Sequence, residues 1–119
     1  MSKAREKILQ PRFRILLGGE IALGPGKAAL LRRIAERGSI TLAARDLGLS
    51  YMRAWTMLKT MERCFRRPLI KILRGGRAGG GAHLTEAGKT VLLLYERMDG
   101  QARRACAPSW RALGRTLKG

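Results

Sequence analysis

The sequence predicts a winged helix-turn-helix, a mainly α fold with a small β content. Its parts are an N-terminal β-hairpin, a three-helix core, a Gly-rich β-wing and a long C-terminal helix. Two short helical segments meet across Gly48 in the register that a helix-turn-helix requires. A strand, a glycine-rich stretch and a return strand follow them, as in a wing. The 119 residues carry a formal net charge of +17, and a charge that large favours an anionic partner, with nucleic acid the first candidate.

The N-terminal part of the chain changes its pattern at Lys27. Before it, Gly18-Gly19 separates two short apolar runs within residues 12–23. Two glycines permit the positive backbone angles of a tight turn, so a β-hairpin is predicted there. Gly24-Pro25-Gly26 breaks that pattern, and helical spacing starts at Lys27 and ends at Gly38. The predicted apolar stripe of this first helix is Ala28, Leu30, Leu31, Ile34 and Ala35.

The segment from Ile40 to Met61 meets the packing requirements of a helix-turn-helix. Two small residues, Ala43 and Ala44, stand where the two helices must approach closely. Gly48 tolerates the left-handed geometry of the turn, and Leu49 can fill the core between the helices. The predicted helices are Leu42 to Leu47, with Ser39 or Thr41 as cap, and Ser50 to about Arg66. The inner face of the latter is apolar, with Ala54, Met57, Leu58 and Met61.

The outer face of the helix that begins at Ser50 is predicted to contact DNA. Such a helix, about 10–12 Å across, fits a major groove about 12 Å wide. Arg53 has the donor geometry for bidentate pairing with guanine. A merely solvated face is the alternative, but residues 50–84 carry eight Lys and Arg against one acid, Glu62. The predicted DNA-contacting residues, two of them in the wing, are Ser50, Tyr51, Arg53, Thr56, Lys59, Thr60, Arg63, Arg74 and Arg77.

The wing is predicted from a strand, Leu69 to Leu73, and a return strand, Ala82 to Leu84. Five of the seven residues between Gly75 and Gly81 are glycine. A phosphate-cradling nucleotide loop is the alternative, and it is disfavoured because the Lys-Ser/Thr of a P-loop and a surrounding βαβ unit are both missing. A mobile wing tip that approaches DNA closely is favoured over a flexible loop without function. Arg74 and Arg77 would then reach phosphates or the minor groove.

The fourth helix is predicted from Glu86, after the cap Thr85, to about Cys106, with Pro108 beyond it and a frayed tail. Its apolar stripe is wider than one contact surface needs, so a homodimer is expected. A helix buried entirely in its own domain is the alternative. The predicted dimer interface is Val91, Leu92, Leu94, Tyr95 and Met98. The expected domain organisation is a basic N-terminal arm over residues 1–11, the DNA-binding domain over residues 12–106 and a basic tail over residues 107–119.

Other classes of function find little support in the sequence. No apolar run approaches the ~20 residues of a membrane span, and no signal peptide is present, so a cytoplasmic protein without a membrane partner is expected. His83 is the only histidine of the sequence, and Cys64 and Cys106 match no metal spacing, so no catalytic residue, metal or cofactor is expected. Besides a sequence-specific regulator, a nonspecific architectural DNA-binding protein and a module that docks a partner protein remain open.

Two groups of residues carry a resemblance to a known family. Gly38-Ser39-Ile40, Ala43-Ala44, Leu47-Gly48, Ser50-Tyr51 and Arg53-Ala54-Trp55 resemble the N-terminal domain of ModE-type molybdenum-responsive transcription regulators. Gly75 to Ala82, with Leu84-Thr85 and Gly88, is similar to the wing of that family, which is related to the LysR-type winged helix. The resemblance covers about Arg12 to Met98. It implies a dimeric transcription regulator with a recognition helix in the major groove.

The resemblance also sets an expectation about molybdate. In full-length members of the ModE family, molybdate binds a separate C-terminal domain, and this chain ends where that domain would begin. The chain therefore looks like a stand-alone DNA-reading unit, and molybdate is not expected to bind it. A role in molybdenum-related gene control follows as a possibility from the same resemblance.

Overall fold

A β-hairpin begins the fold. In the computed structural model, which describes residues 5–73 and 81–119, strand β1 (Ile15–Leu17) pairs antiparallel with strand β2 (Glu20–Leu23). The turn between them is Gly18-Gly19, and Gly18 has a φ of 58°. The hairpin predicted from the glycine pair is therefore confirmed.

Three helices follow, and two of them begin earlier than predicted. Helix α1 (Pro25–Arg37) starts two residues before Lys27, because the fixed φ of proline suits the first helical position. Helix α2 (Ile40–Asp46) starts before Leu42, because Ser39 is its cap and accepts a hydrogen bond from the Leu42 amide at 3.1 Å. Helix α3 (Tyr51–Cys64) begins after Ser50 as predicted and ends slightly short of Arg66.

The core lies where α1, α2 and α3 meet. Leu30, Leu31, Ile34 and Met61 are fully buried, and Ala43 and Ala54 have no exposed surface, as close contact between the helices requires. Gly48 has a φ of 69° in the turn, and Leu49 packs half-buried against the core. The predicted helix-turn-helix is therefore confirmed. Ala35 is an exception, because it is exposed rather than part of the buried stripe of α1.

The wing strands are β3 (Ile70–Leu73) and β4 (Gly81–Leu84), which pair antiparallel with Ile70 opposite Leu84. The amide of Ala82 donates to the carbonyl of Gly38 at 3.0 Å, so β4 is tied to the end of α1. The predicted wing tip, with Arg74 and Arg77, lies outside the described residues.

Helix α4 (Glu86–Gly114) is 29 residues long, and Pro108 lies inside it. The predicted end near Cys106 and the frayed tail are therefore wrong. An interior proline costs a helix about 3 kcal/mol, but tertiary contacts support this segment. Lys7 donates to the carbonyl of Gly114 at 3.1 Å, and Arg103 donates to the carbonyl of Leu9 at 3.0 Å. Neither α4 nor any other helix within the described ranges combines the length and apolar composition that a membrane span requires.

Candidate nucleic-acid interface

Helix α3 presents one face to the core and the opposite face to solvent. Its inner residues Ala54, Leu58 and Met61 are buried. The hydroxyl oxygen of Ser50 accepts a hydrogen bond from the Arg53 amide at 3.0 Å, which holds the N-terminus of the helix in place. The residues of α3 that are exposed to solvent are Tyr51, Met52, Arg53, Thr56, Lys59, Glu62 and Arg63, whereas Thr60 is half-buried.

Met52 is a member of the exposed face that the sequence prediction missed. It is 74% exposed, more than any other large apolar side chain among the described residues. Helical period alone places it beside Tyr51 and Arg53, but its apolar chemistry kept it out of a set chosen for hydrogen bonding. An exposed apolar side chain at this position can contact the methyl group of a thymine in the major groove.

An aromatic side chain orders part of the exposed face. The rings of Tyr51 and Trp55 meet edge to face, with centroids 6.0 Å apart and planes at 77°. The Lys59 ammonium lies 6.0 Å from the centroid of the Trp55 ring. These three residues are spaced four apart on one stripe of α3. Trp55 is half-buried, and its ring packs against the side chains of both Tyr51 and Lys59. Lys59 also lies 3.5 Å from the Glu62 carboxylate, which partly offsets its charge.

The two threonines predicted to contact DNA use their hydroxyl protons inside the helix. Thr56 donates to the carbonyl of Met52 at 3.0 Å, and Thr60 donates to the carbonyl of Thr56 at 3.1 Å. In this arrangement each hydroxyl can only accept a hydrogen bond from outside, and the oxygen of Thr60 already accepts one from Arg63 at 3.4 Å. Such oxygens suit the amino groups of adenine or cytosine better than phosphate oxygens, which need donors.

The side chain of Arg63 points towards the hairpin, where it pairs with Glu20 of β2. Residue spacing along α3 could not predict this partner. The Arg63 guanidinium donates to the Glu20 carboxylate at 2.7 Å, across 43 residues of chain. The hydrogen bond from Arg63 lowers the pKa of Glu20 below its ordinary value, and the same bond raises the pKa of Arg63. The Cys64 thiol lies 3.6 Å from the same carboxylate, and burial raises its pKa, so it remains protonated at neutral pH.

The structure buries some residues of the predicted dimer interface and leaves others exposed to solvent. Leu92 and Tyr95 are buried in the core of their own chain, and the Tyr95 hydroxyl donates to the carbonyl of Phe13 at 2.7 Å. These two residues correct the predicted set, because a side chain enclosed by its own core is not available to a partner. Val91 packs half-buried against the same core. Leu94, 47% exposed, and the half-buried Met98 remain on the solvent side.

The protein is a winged helix-turn-helix protein. It combines a helix-turn-helix with two antiparallel wing strands, and the outer face of α3 is exposed to solvent while Ser50 caps its N-terminus. The family model described as bacterial regulatory helix-turn-helix protein, lysR family, matches residues 27–89, which run from α1 to the start of α4. The chain belongs to this family. Membership implies a DNA-binding regulatory role.

Several molybdenum-related proteins are similar to the chain. It is 38% identical over 87 residues to "Molybdenum-pterin-binding protein MopA" of Rhodobacter capsulatus, covering 73% of this chain and 33% of that protein. It is 42% identical over 77 residues to MopB of the same organism, covering 65% and 28%. It is 39% identical over 72 residues to "DNA-binding transcriptional dual regulator ModE" of Escherichia coli strain K12, covering 60% and 28%. The chain spans about a third of the length of the curated relatives it matches.

Proposed function

We propose that this chain is a sequence-specific DNA-binding transcription regulator whose helix α3 enters the major groove. The exposed face of α3 carries the proposal, since its inner face is buried and its N-terminus is held by Ser50. Arg53, in the first turn of α3, is exposed and forms none of the ion pairs seen among the described residues. Its guanidinium is therefore free to pair with a base edge, as the N-terminal residues of a recognition helix do.

Selection of bound duplexes from a random pool, at stated salt, tests this function. We expect a defined motif, bound about 10³-fold or more tightly than random DNA. Arg53→Ala should weaken binding to the selected site by about 1–3 kcal/mol and relax the motif at one base pair. Lys71→Ala, which removes an exposed cation from β3, should lower affinity evenly for all sequences.

A pool without any enriched motif would contradict sequence-specific regulation and favour the nonspecific architectural alternative. Identical behaviour of the Arg53 and Lys71 variants would contradict the separate roles proposed for the helix and the wing. Both substituted side chains are exposed, so the melting temperature of each variant should match that of the wild type.

We propose that two chains pair through the solvent side of α4 around Leu94 and Met98. Pairing would cover the exposed apolar surface of Leu94. It would also place two α3 helices on one face of the DNA, about 34 Å or a multiple apart, so the operator is expected to be an inverted repeat. The net charge of +17 on each chain makes two chains repel each other at low salt, and bound DNA should reduce that repulsion.

Leu94→Glu is expected to weaken dimerisation at least about 100-fold, which corresponds to ~2.7 kcal/mol, because two-fold symmetry repeats each substitution in the interface. Analytical ultracentrifugation at moderate salt measures this. Leu117→Glu is the matched control, since Leu117 is similarly exposed but lies beyond the end of α4. Wild-type protein that stays monomeric at micromolar concentration, both free and on DNA, would refute the dimer.

We also propose a link to molybdenum-related gene control, in which this chain supplies DNA recognition and does not itself bind molybdate. The support is similarity to two molybdenum-pterin-binding proteins and to "Molybdenum transport protein ModE" of Azotobacter vinelandii, alongside the transcriptional regulator named ModE. The matched region is only 28–33% of each of the Rhodobacter proteins. The molybdenum-pterin binding that the names of those proteins state is therefore not transferred to this chain.

A further inference from the structure

A crevice of about 370 Å³ lies beside α3, between the hairpin and the first turn of α1. We call it the basic crevice, because four of its lining residues are cationic and none is acidic. The cations come from three parts of the chain: the segment before β1, helix α1 and helix α3. The lining residues are Arg12, Arg14, Ile21, Gly24, Pro25, Gly26, Lys27, Arg53 and Met57.

Contacts with α4 determine how the N-terminal segment supplies two of these cations. Along this segment Leu9, Pro11 and Phe13 are half-buried, whereas the alternate residues Arg12 and Arg14 are exposed. The carbonyl of Phe13 accepts from the Tyr95 hydroxyl at 2.7 Å, which fixes the segment between the two arginines. Because successive side chains of an extended segment point to opposite sides, Arg12 and Arg14 share the side that lines the crevice.

Within residues 5–73 and 81–119, no acid forms an ion pair with a cation of the crevice, that is, with Arg12, Arg14, Lys27 or Arg53. The ammonium of Lys27 donates to the carbonyl of Ile21, and burial lowers the pKa of Lys27 below its ordinary value. Glu20 is the acid that acts on Lys27, and its carboxylate is already bound by Arg63. Unpaired like charges around a concave site favour an anion.

We propose that the basic crevice binds a backbone phosphate of the DNA, next to the base pairs that α3 reads. This inference rests on the proposed function. Arg53 links the two sites, because it lines the crevice and also lies on the exposed face of α3. Arg12 and Arg14 precede residue 27, where the match to the lysR family model begins, whereas Lys27 and Arg53 lie within it. A free tetrahedral oxyanion offers the same chemistry and is distinguished by experiment.

The first test compares Arg12→Ala/Arg14→Ala with wild type on the selected DNA site. Each phosphate that the protein neutralises contributes about 0.9 to the slope of log affinity against log salt, so loss of the one phosphate in the crevice should make the slope of the double variant shallower by about 0.9. The selected motif should not change, because Arg53 is retained. Arg97→Ala/Arg111→Ala is the matched control, which removes two exposed cations of α4 outside the crevice lining and should retain the wild-type slope. A double variant with the wild-type slope would overturn the inference.

A second test locates the phosphate. Duplexes that carry one neutral methylphosphonate at a time should include a position in each half-site where wild-type protein loses affinity and the Arg12/Arg14 double variant does not. Such non-additivity identifies partners that contact each other. If every methylphosphonate weakens both proteins by the same factor, the crevice does not hold a backbone phosphate.

Thermal denaturation with sodium phosphate or sodium molybdate, at constant ionic strength, separates the two sources of anion. A ligand that binds only the folded state must raise the melting temperature. Because we assign the crevice to a DNA phosphate and not to a free anion, we expect no saturable rise at millimolar concentrations of either salt. A rise that the double variant loses would assign the crevice to a free oxyanion and overturn the DNA assignment. Failure of the proposed function is distinguishable, since wild-type protein would then select no motif, whereas failure of the inference alone leaves the motif intact.

Discussion

Gly88→Ala is expected to destabilise the fold by about 3 kcal/mol, near the upper end of the usual cost of overpacking. A Cβ at this position would overlap the carbonyl oxygen of Leu69 and lie 2.9 Å from its carbonyl carbon. That carbonyl is held in place, because it accepts the Thr85 amide at 3.0 Å. The Thr85 hydroxyl also donates to the carbonyl of Pro68 at 2.6 Å. The start of α4 would have to move away from β3, which loosens the wing as well.

Thermal unfolding followed by circular dichroism measures this effect, and a fall in melting temperature of about 10–20 °C is expected. Gly100→Ala on the same helix is the matched control. Its Cβ would meet only the end of the flexible Arg104 side chain, at 3.4 Å, and alanine favours a helix over glycine by about 1 kcal/mol. That variant should be as stable as the wild type or slightly more stable. A Gly88→Ala protein that melts with the wild type would show that α4 can dock without close contact at Leu69.

Affinity for DNA is expected to fall about 10³-fold between 50 and 200 mM salt. If about six phosphates are neutralised, the slope of log affinity against log salt is about −5, and a fourfold change in salt then gives this factor. The basis is the charge of +17 and the cations around α3. Fluorescence anisotropy on one labelled duplex measures the slope, and random duplex of the same length is the control. A nearly flat dependence would contradict a basic surface that binds the DNA backbone.

The helix-turn-helix was predictable because its determinants are local. Ser50 lies three residues from the Arg53 amide that it caps, and Gly48 needs only its own positive φ. Helical period was enough to assign the inner face of α3, with Ala54, Leu58 and Met61. The glycine pair at 18 and 19 was similarly enough for the hairpin. The resemblance drawn from the sequence also named Gly88, but its contact with Leu69 became visible only in the structure.

Contacts between distant parts of the chain decided the rest. The end of α4 depends on the docked N-terminal segment, with Arg103 and Leu9 separated by 94 residues. The spacing of apolar residues along α4 is equally compatible with burial in the core and with contact with a partner chain. Tyr95 points inward because its hydroxyl donates to the carbonyl of Phe13, 82 residues away. The same docking brings Arg12 and Arg14 beside Arg53. Residue spacing along one helix predicts which side chains share a face. Which acid, carbonyl or cation contacts that face depends on how distant parts of the chain pack together.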